Sequence, residues 1–111
     1  MTINEFQQEA LRTASHKGVI PEEELINGVM GLCGESGECV DLVKKHVFQG
    51  HELDKEHLVE ELGDVAWYLA LTAYSLGVGL EYVLQKNVEK LRKRYPTGFD
   101  AERSVHRKEN R

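Results

Sequence analysis

Apolar positions recur three and four residues apart along most of the chain, and no stretch alternates with period two for long enough to form a strand. The pattern predicts an all-α fold of four helices. The first covers about 2–15, with Thr2 as its N-cap and Phe6, Ala10 and Leu11 on one face, and His16-Lys17-Gly18 ends it. Pro21 followed by Glu22, Glu23 and Glu24 opens the second, since proline fits a first turn and negative charge suits a helix N-terminus. This helix continues to about Val47 with Leu25, Val29, Leu32, Val40, Val43 and Val47 as its stripe. Phe48-Gln49-Gly50-His51 breaks the pattern, and Asp54 caps a third helix striped by Leu58, Leu62, Val65, Leu69, Thr72 and Leu76. After the turn Gly77-Val78-Gly79, a fourth helix runs from Leu80 to about Tyr95, where Pro96 and Gly98 stop it. Residues from about 100 onward are polar and mixed in charge, which predicts one domain over 1–100 and a mobile tail over 101–111.

Two acidic pairs stand out against this frame. Glu35 and Glu38 in the second helix, and Glu61 and Asp64 in the third, are each spaced i, i+3, so the side chains of a pair leave from one helix face. The midpoint of 35 and 64 is 49.5, as is that of 38 and 61, and it falls at Gln49-Gly50 in the loop. An antiparallel hairpin folded there brings Glu38 level with Glu61 and Glu35 with Asp64. Two carboxylates about 5 Å apart repel by roughly 3 kcal/mol at an effective dielectric near 20, so such a cluster calls for a cation. All-oxygen ligation suits Mg²⁺, or Mn²⁺ in its place, rather than zinc. Read singly, each pair is ordinary solvated helix surface; the mirror placement of two pairs is what argues for a site.

Other features adjust this picture. Gly28, Gly31, Gly34 and Gly37 recur every third residue of the second helix, and each is worth about 1 kcal/mol less than Ala there. They predict close approach of a neighbouring backbone or ligand, or else a break in the helix. In the fourth helix Asn87, Lys90 and Arg94 share a face able to hold phosphate oxygens. An apolar fraction of 41% with 30% charged residues is that of a globular domain, and the formal charge of −5 argues against general nucleic-acid binding. A domain this small has a modest core, which favours a subunit interface. No apolar run reaches membrane-span length and no signal-peptide pattern opens the chain. Cys33 and Cys39 lack C-x-x-C spacing and read as reduced core-type thiols of a cytoplasmic protein.

Glu35-Ser-Gly-Glu38 and Glu61-Leu-Gly-Asp64, in this order, resemble the E-x-x-E … E-x-x-D signature of the MazG-type all-α nucleoside triphosphate pyrophosphohydrolases. The strings GLCGESGECVDLVKK, EELGDVAWYLA and NVEKLRKRYPTGF are also similar to small phage and bacterial MazG-like proteins, so the likeness covers roughly 25–100. It implies a four-helix MazG-like bundle, with the antiparallel hairpin at its core, completed by dimerisation into a homodimer or tetramer. It further implies hydrolysis of canonical or damaged (deoxy)nucleoside triphosphates to monophosphate and pyrophosphate, a housecleaning of the nucleotide pool. Glu35, Glu38, Glu61 and Asp64 would be the Mg²⁺ ligands. Asn87 and Lys90 match the phosphate-contacting N-x-x-K positions, with Arg94 and Tyr95 beside them.

Chemistry fills in further roles as expectations. Lys90, with Arg94 or Lys44, would stabilise charge on leaving pyrophosphate. Glu60 would orient or deprotonate the attacking water, although a surface ion pair serves as well for that residue. Tyr68, Trp67, Phe6 and Phe48 are the aromatics able to stack on a base, with core packing the competing role. Two rivals stand beside the hydrolase. One is a non-catalytic helical interaction module whose acidic groove takes a basic partner. The other is a di-iron carboxylate bundle, which lacks its usual Glu-x-x-His pairs here.

Overall fold

The structure is a computed structural model that describes residues 1–15 and 21–107. It contains α1 (Ile3–Leu11), α2 (Pro21–Phe48), α3 (Lys55–Ser75), α4 (Leu80–Arg94) and α5 (Ala101–Val105), and no strand among the described residues. The all-α expectation holds. The caps are those read from the sequence: Thr2 accepts from the Glu5 backbone N–H and Asp54 from that of His57, each at 3.0 Å. The expected break at His16-Lys17-Gly18 lies outside the described residues. By its internal contacts the chain divides into two units, Met1–Leu80 and Glu81–Arg111.

In the first unit α3 is the central element, packed by α2 on one side and α1 on the other. Gly50, at φ 73°, turns the chain between α2 and α3 in a left-handed conformation that glycine adopts without steric cost. The hairpin register is visible in the glycines. A Cβ on Gly31 would sit 2.0 Å from Tyr68 Cε1, and one on Gly28 would sit 2.5 Å from Thr72 Oγ1. The midpoint of 31 and 68 is 49.5, the same as that expected for the acidic pairs.

This register corrects the stripe assigned to α2. Leu25 and Leu32 are half-buried, but Val29, Val40, Val43 and Val47 are exposed. The physical reason is that α3 approaches over the bare backbone of Gly28 and Gly31, about a third of a turn away from the valines. Leu62 and Leu76 of the expected α3 stripe are likewise exposed, while Ala70, Leu71 and Ala73 are buried instead. Ala70 turns toward α1, where Ala10, Ala70 and Leu80 form a small core joined by Phe6, Trp67 and Leu69. Two polar anchors fasten α1 to α3. The Trp67 indole donates to the Ala10 carbonyl and Thr13 Oγ1, both at 2.9 Å. Buried Gln7 donates to the Ala70 and Val78 carbonyls and accepts from Leu80 N–H, so all its polar atoms are satisfied.

In the second unit, residues 81–93 of α4 are exposed throughout. The segment read as a polar tail carries the short helix α5, whose N-cap Asp100 accepts from Glu102 and Arg103. Arg103 in turn donates to the Arg94 carbonyl, stapling α5 to the end of α4. Cys33 is exposed and Cys39 half-buried, so neither is the core thiol expected. No helix among the described residues is long and apolar enough to cross a membrane.

Candidate metal centre

Three of the four expected carboxylates meet. Glu35 from α2 and Glu61 and Asp64 from α3 each bring an oxygen within 4.8 Å of the others. They do so because α2 and α3 share the register set at Gly28 and Gly31, and because Glu61 and Asp64 lie one turn apart on α3. Glu38 points outside this trio and is exposed, although its charge still reaches Glu35. The expectation of four groups in one volume is met by three, with the fourth beside them.

The trio is electrostatically crowded. The Glu35 carboxyl is held above its ordinary range, first by a hydrogen bond with Glu61, which exists only while a proton is shared between them. Desolvation and the negative charges of Glu61, Asp64 and Glu38 push in the same direction. His57, one turn before Glu61, places Nε2 at 3.2 Å from Glu61 Oε1. The helix pattern of α3 does not single out His57; its i, i+4 spacing to Glu61 is the sequence signal for this contact.

These residues fit a hard divalent cation. Ligands at about 2.1 Å from one octahedral Mg²⁺ stand about 3 Å apart at neighbouring positions and about 4.2 Å apart across the ion, so oxygens within 4.8 Å of one another must draw in by up to about 1.8 Å. Three carboxylates leave coordination positions for Glu38, water or substrate oxygens. The donor set is wholly oxygen, as magnesium and manganese prefer.

The remaining expected residues divide between the two units. Tyr68 is half-buried, its ring laid across Gly31 and edge-on to Trp67 at 4.9 Å, so it builds the α2–α3 contact one turn beyond Asp64. Trp67 and Phe6 belong to the α1–α3 packing, whereas Phe48 is exposed. Glu60 is exposed next to the trio, and Lys44 is exposed while its neighbour Lys45 pairs with Asp41 at 2.8 Å. In the second unit Asn87 and Lys90 are exposed on α4. Lys86, Lys90 and Lys93 line a shallow cleft of about 420 Å³ with Glu89 and Arg94. Arg94 itself is buried, with no hydrogen-bond partner for Nε among the described residues, so its guanidinium is not presented as the sequence led one to expect. Tyr95 is half-buried and stacks at a tilt on Phe99, centroids 5.4 Å apart. Charge is divided too: residues 1–80 hold fourteen Asp and Glu against five Lys and Arg, and 81–111 hold five against nine.

A roomier cleft of about 560 Å³ opens between the start of α1 and the α3–α4 turn, at Asn4, Gln8, Tyr74 and Gly79. Gly77 lies thirteen residues beyond Asp64, about 20 Å along a helix, so this cleft is remote from the acidic trio.

Comparison with known proteins bears on this geometry. No solved structure matches the chain. The chain is 36% identical over 106 residues to the "Gene 37 protein" of Mycobacterium phage L5, covering 88% of this chain and 92% of that one. Residues 24–99, which hold all four acidic positions and α4, match the MazG nucleotide pyrophosphohydrolase domain. The chain belongs to the MazG nucleotide pyrophosphohydrolase family.

Proposed function

We propose that this protein hydrolyses nucleoside or deoxynucleoside triphosphates to the monophosphate and pyrophosphate, with Mg²⁺ held by Glu35, Glu61 and Asp64 and completed by Glu38. The observation that carries this reading is the convergence of three carboxylates from two helices, where the charges acting on Glu35 among the described residues are all negative. A divalent cation bound there supplies positive charge for the triphosphate and lowers the pKa of a water for attack at the α-phosphorus.

The chain's own groups do the rest. Glu60, exposed beside the trio, orients the water and takes its proton. His57 holds Glu61 by its 3.2 Å contact and fixes the direction of that carboxylate. The α–β phosphoanhydride breaks as the new oxygen–phosphorus bond forms, and the electron pair leaves on pyrophosphate. Asn87 and Lys90, together with Lys44, bind the phosphate oxygens and stabilise that leaving charge. Arg94 and Tyr95 support α4 from their buried or half-buried positions, and Tyr68 keeps α2 and α3 at the spacing the trio needs. The protein acts in the cytoplasm on the nucleotide pool, as a homodimer or a higher homo-oligomer.

The test is to incubate the protein with a panel of NTPs and dNTPs plus Mg²⁺ and separate the products. Monophosphate with pyrophosphate is expected. Diphosphate with orthophosphate contradicts the cleavage site, and no turnover of any triphosphate favours the acidic interaction module.

A further inference from the structure

We propose that the cleft between the start of α1 and the α3–α4 turn is a second binding site, which takes an uncharged nucleobase or nucleoside stacked on Tyr74 with its edge on Glu5 and Gln8. The site lies apart from the metal centre. Tyr74 is ten residues beyond Asp64, about 15 Å along α3, so a nucleotide whose phosphates sit on the acidic trio does not place its base here.

The cleft is built within the first unit, from α1, the end of α3 and the turn that follows. Its volume of about 560 Å³ falls within the roughly 300–1,000 Å³ of small-molecule sites. Its wall is fixed before any ligand arrives. Gln7 is 5% exposed, and its amide ties α1 to the Ala70 and Val78 carbonyls and to the Leu80 N–H. A Cβ on Gly79 would stand 3.0 Å from Asn4 Oδ1, so α1 and the turn close on each other with no side chain between them. Binding therefore costs little further ordering of this wall.

Charge decides which class of ligand fits. Among the described residues no lysine, arginine or histidine lines the cleft, and Glu5 is the one charged side chain there. Two helix N-termini also meet at this place: α1 begins at Ile3, and α4 at Leu80, directly after Gly79. Each carries roughly half a positive charge, so together they offset the Glu5 carboxylate. A phosphate would meet Glu5 with no cation beside it, and an ammonium would meet two positive helix ends. The near-neutral balance favours an uncharged ligand. Tyr74, 48% exposed, offers an aromatic face, on which any base can stack through its own π-face. Gln8 lies one turn from both Asn4 and Glu5, so their polar groups border the cleft together. The Glu5 carboxylate accepts from a ring or exocyclic N–H, and the Gln8 amide both donates and accepts, which matches the edge of a base.

Proton–nitrogen correlation NMR of the full chain, without metal, tests the proposal by titration with adenosine, guanosine, cytidine and thymidine in turn. At least one nucleoside is expected to give saturable shifts of the Gln8, Gly77 and Gly79 amides, while those of Glu35 and Asp64 stay in place. Gln8→Leu and Tyr74→Leu are each expected to raise its Kd about tenfold or more. Gln8 is exposed, so the first variant keeps its helical circular dichroism. Putrescine and inorganic phosphate are the cationic and anionic arms, and neither is expected to move the cleft amides. No saturable shift with any nucleoside, an unchanged Kd for Gln8→Leu, shifts centred on Glu35 and Asp64 instead, or saturation of the cleft by putrescine or phosphate would each overturn the site. Nucleosides carry no phosphoanhydride, so a protein that binds them here and hydrolyses no triphosphate would refute the proposed catalysis and leave this site standing.

Discussion

Gly31→Ala is the sharpest probe of the hairpin that assembles the acidic trio. The added Cβ would stand 2.0 Å from Tyr68 Cε1, 2.3 Å from Cδ1 and 2.4 Å from Cζ. Carbon atoms pack at about 3.5–4.0 Å, so the ring must shift by roughly 1.5 Å or the helices must part. The ring has little freedom, because Trp67 lies edge-on beside it and is itself bonded to α1. Overpacking of this kind costs about 1–3 kcal/mol, against about 1 kcal/mol gained by replacing a helical glycine. A contact this short belongs at the upper end of that range, so a net loss of about 2 kcal/mol, lowering the melting temperature by roughly 8 °C in a domain of this size, is expected. Gly63→Ala is the control, since nothing lies within 4 Å of its Cβ position on α3. It should gain up to about 1 kcal/mol. The assay is urea and thermal unfolding of both variants, followed by circular dichroism. A Gly31→Ala protein as stable as wild type would refute the close approach of α2 and α3 at Tyr68, and with it the register of the site.

Further expectations follow from the same geometry. Without metal, stability should fall as pH rises from the ordinary Glu35 value of 4.5 through its raised folded value, because the folded state binds that proton more tightly than the unfolded state. Glu35→Gln should flatten that part of a denaturation series run against pH; an unchanged slope would remove Glu35 from the crowded trio. Asp41, whose carboxyl is lowered by its bond to Lys45, acts in the opposite sense and loses its contribution only as pH falls below about 3.8. Saturating Mg²⁺ should raise the melting temperature of the wild type, by the equivalent of about 2.7 kcal/mol at a hundredfold excess over Kd, and leave Glu61→Gln unmoved in differential scanning fluorimetry. Gln7→Leu leaves the Ala70 and Val78 carbonyls and the Leu80 N–H without their side-chain partner. A loss of about 2 kcal/mol or more is expected in urea unfolding, while Gln8→Leu on the exposed side of α1 should change little.

The acidic pairs were legible in the sequence because two constraints act on them together: helical spacing within each pair and mirror placement about Gln49-Gly50. The caps at Thr2 and Asp54 were legible for a local reason, since an N-cap depends on residues within one turn. The face of α2 that meets α3 was not. Hydrophobic periodicity points to the valines, whereas contact with α3 is made over Gly28 and Gly31, where the signal is the absence of a side chain. The burial of Arg94 was also hidden, because a guanidinium at a helix end reads as solvated surface until α5 and the Arg103 bond to its carbonyl are known. Helix α5 itself is too short for its periodicity to register, although Asp100 followed by Glu102 marks its start. The His57 imidazole was not singled out, although its i, i+4 spacing lets it reach Glu61 one turn later.

The central claim is that carboxylates from α2 and α3 jointly hold a divalent cation. Electron paramagnetic resonance of Mn²⁺ added to the wild type and to Glu35→Gln, Glu61→Gln and Asp64→Asn reads this without any substrate. Loss of the free-ion signal with the wild type, and its return with substitutions on either helix, is the predicted result. Equal binding by the wild type and all three variants would contradict the account.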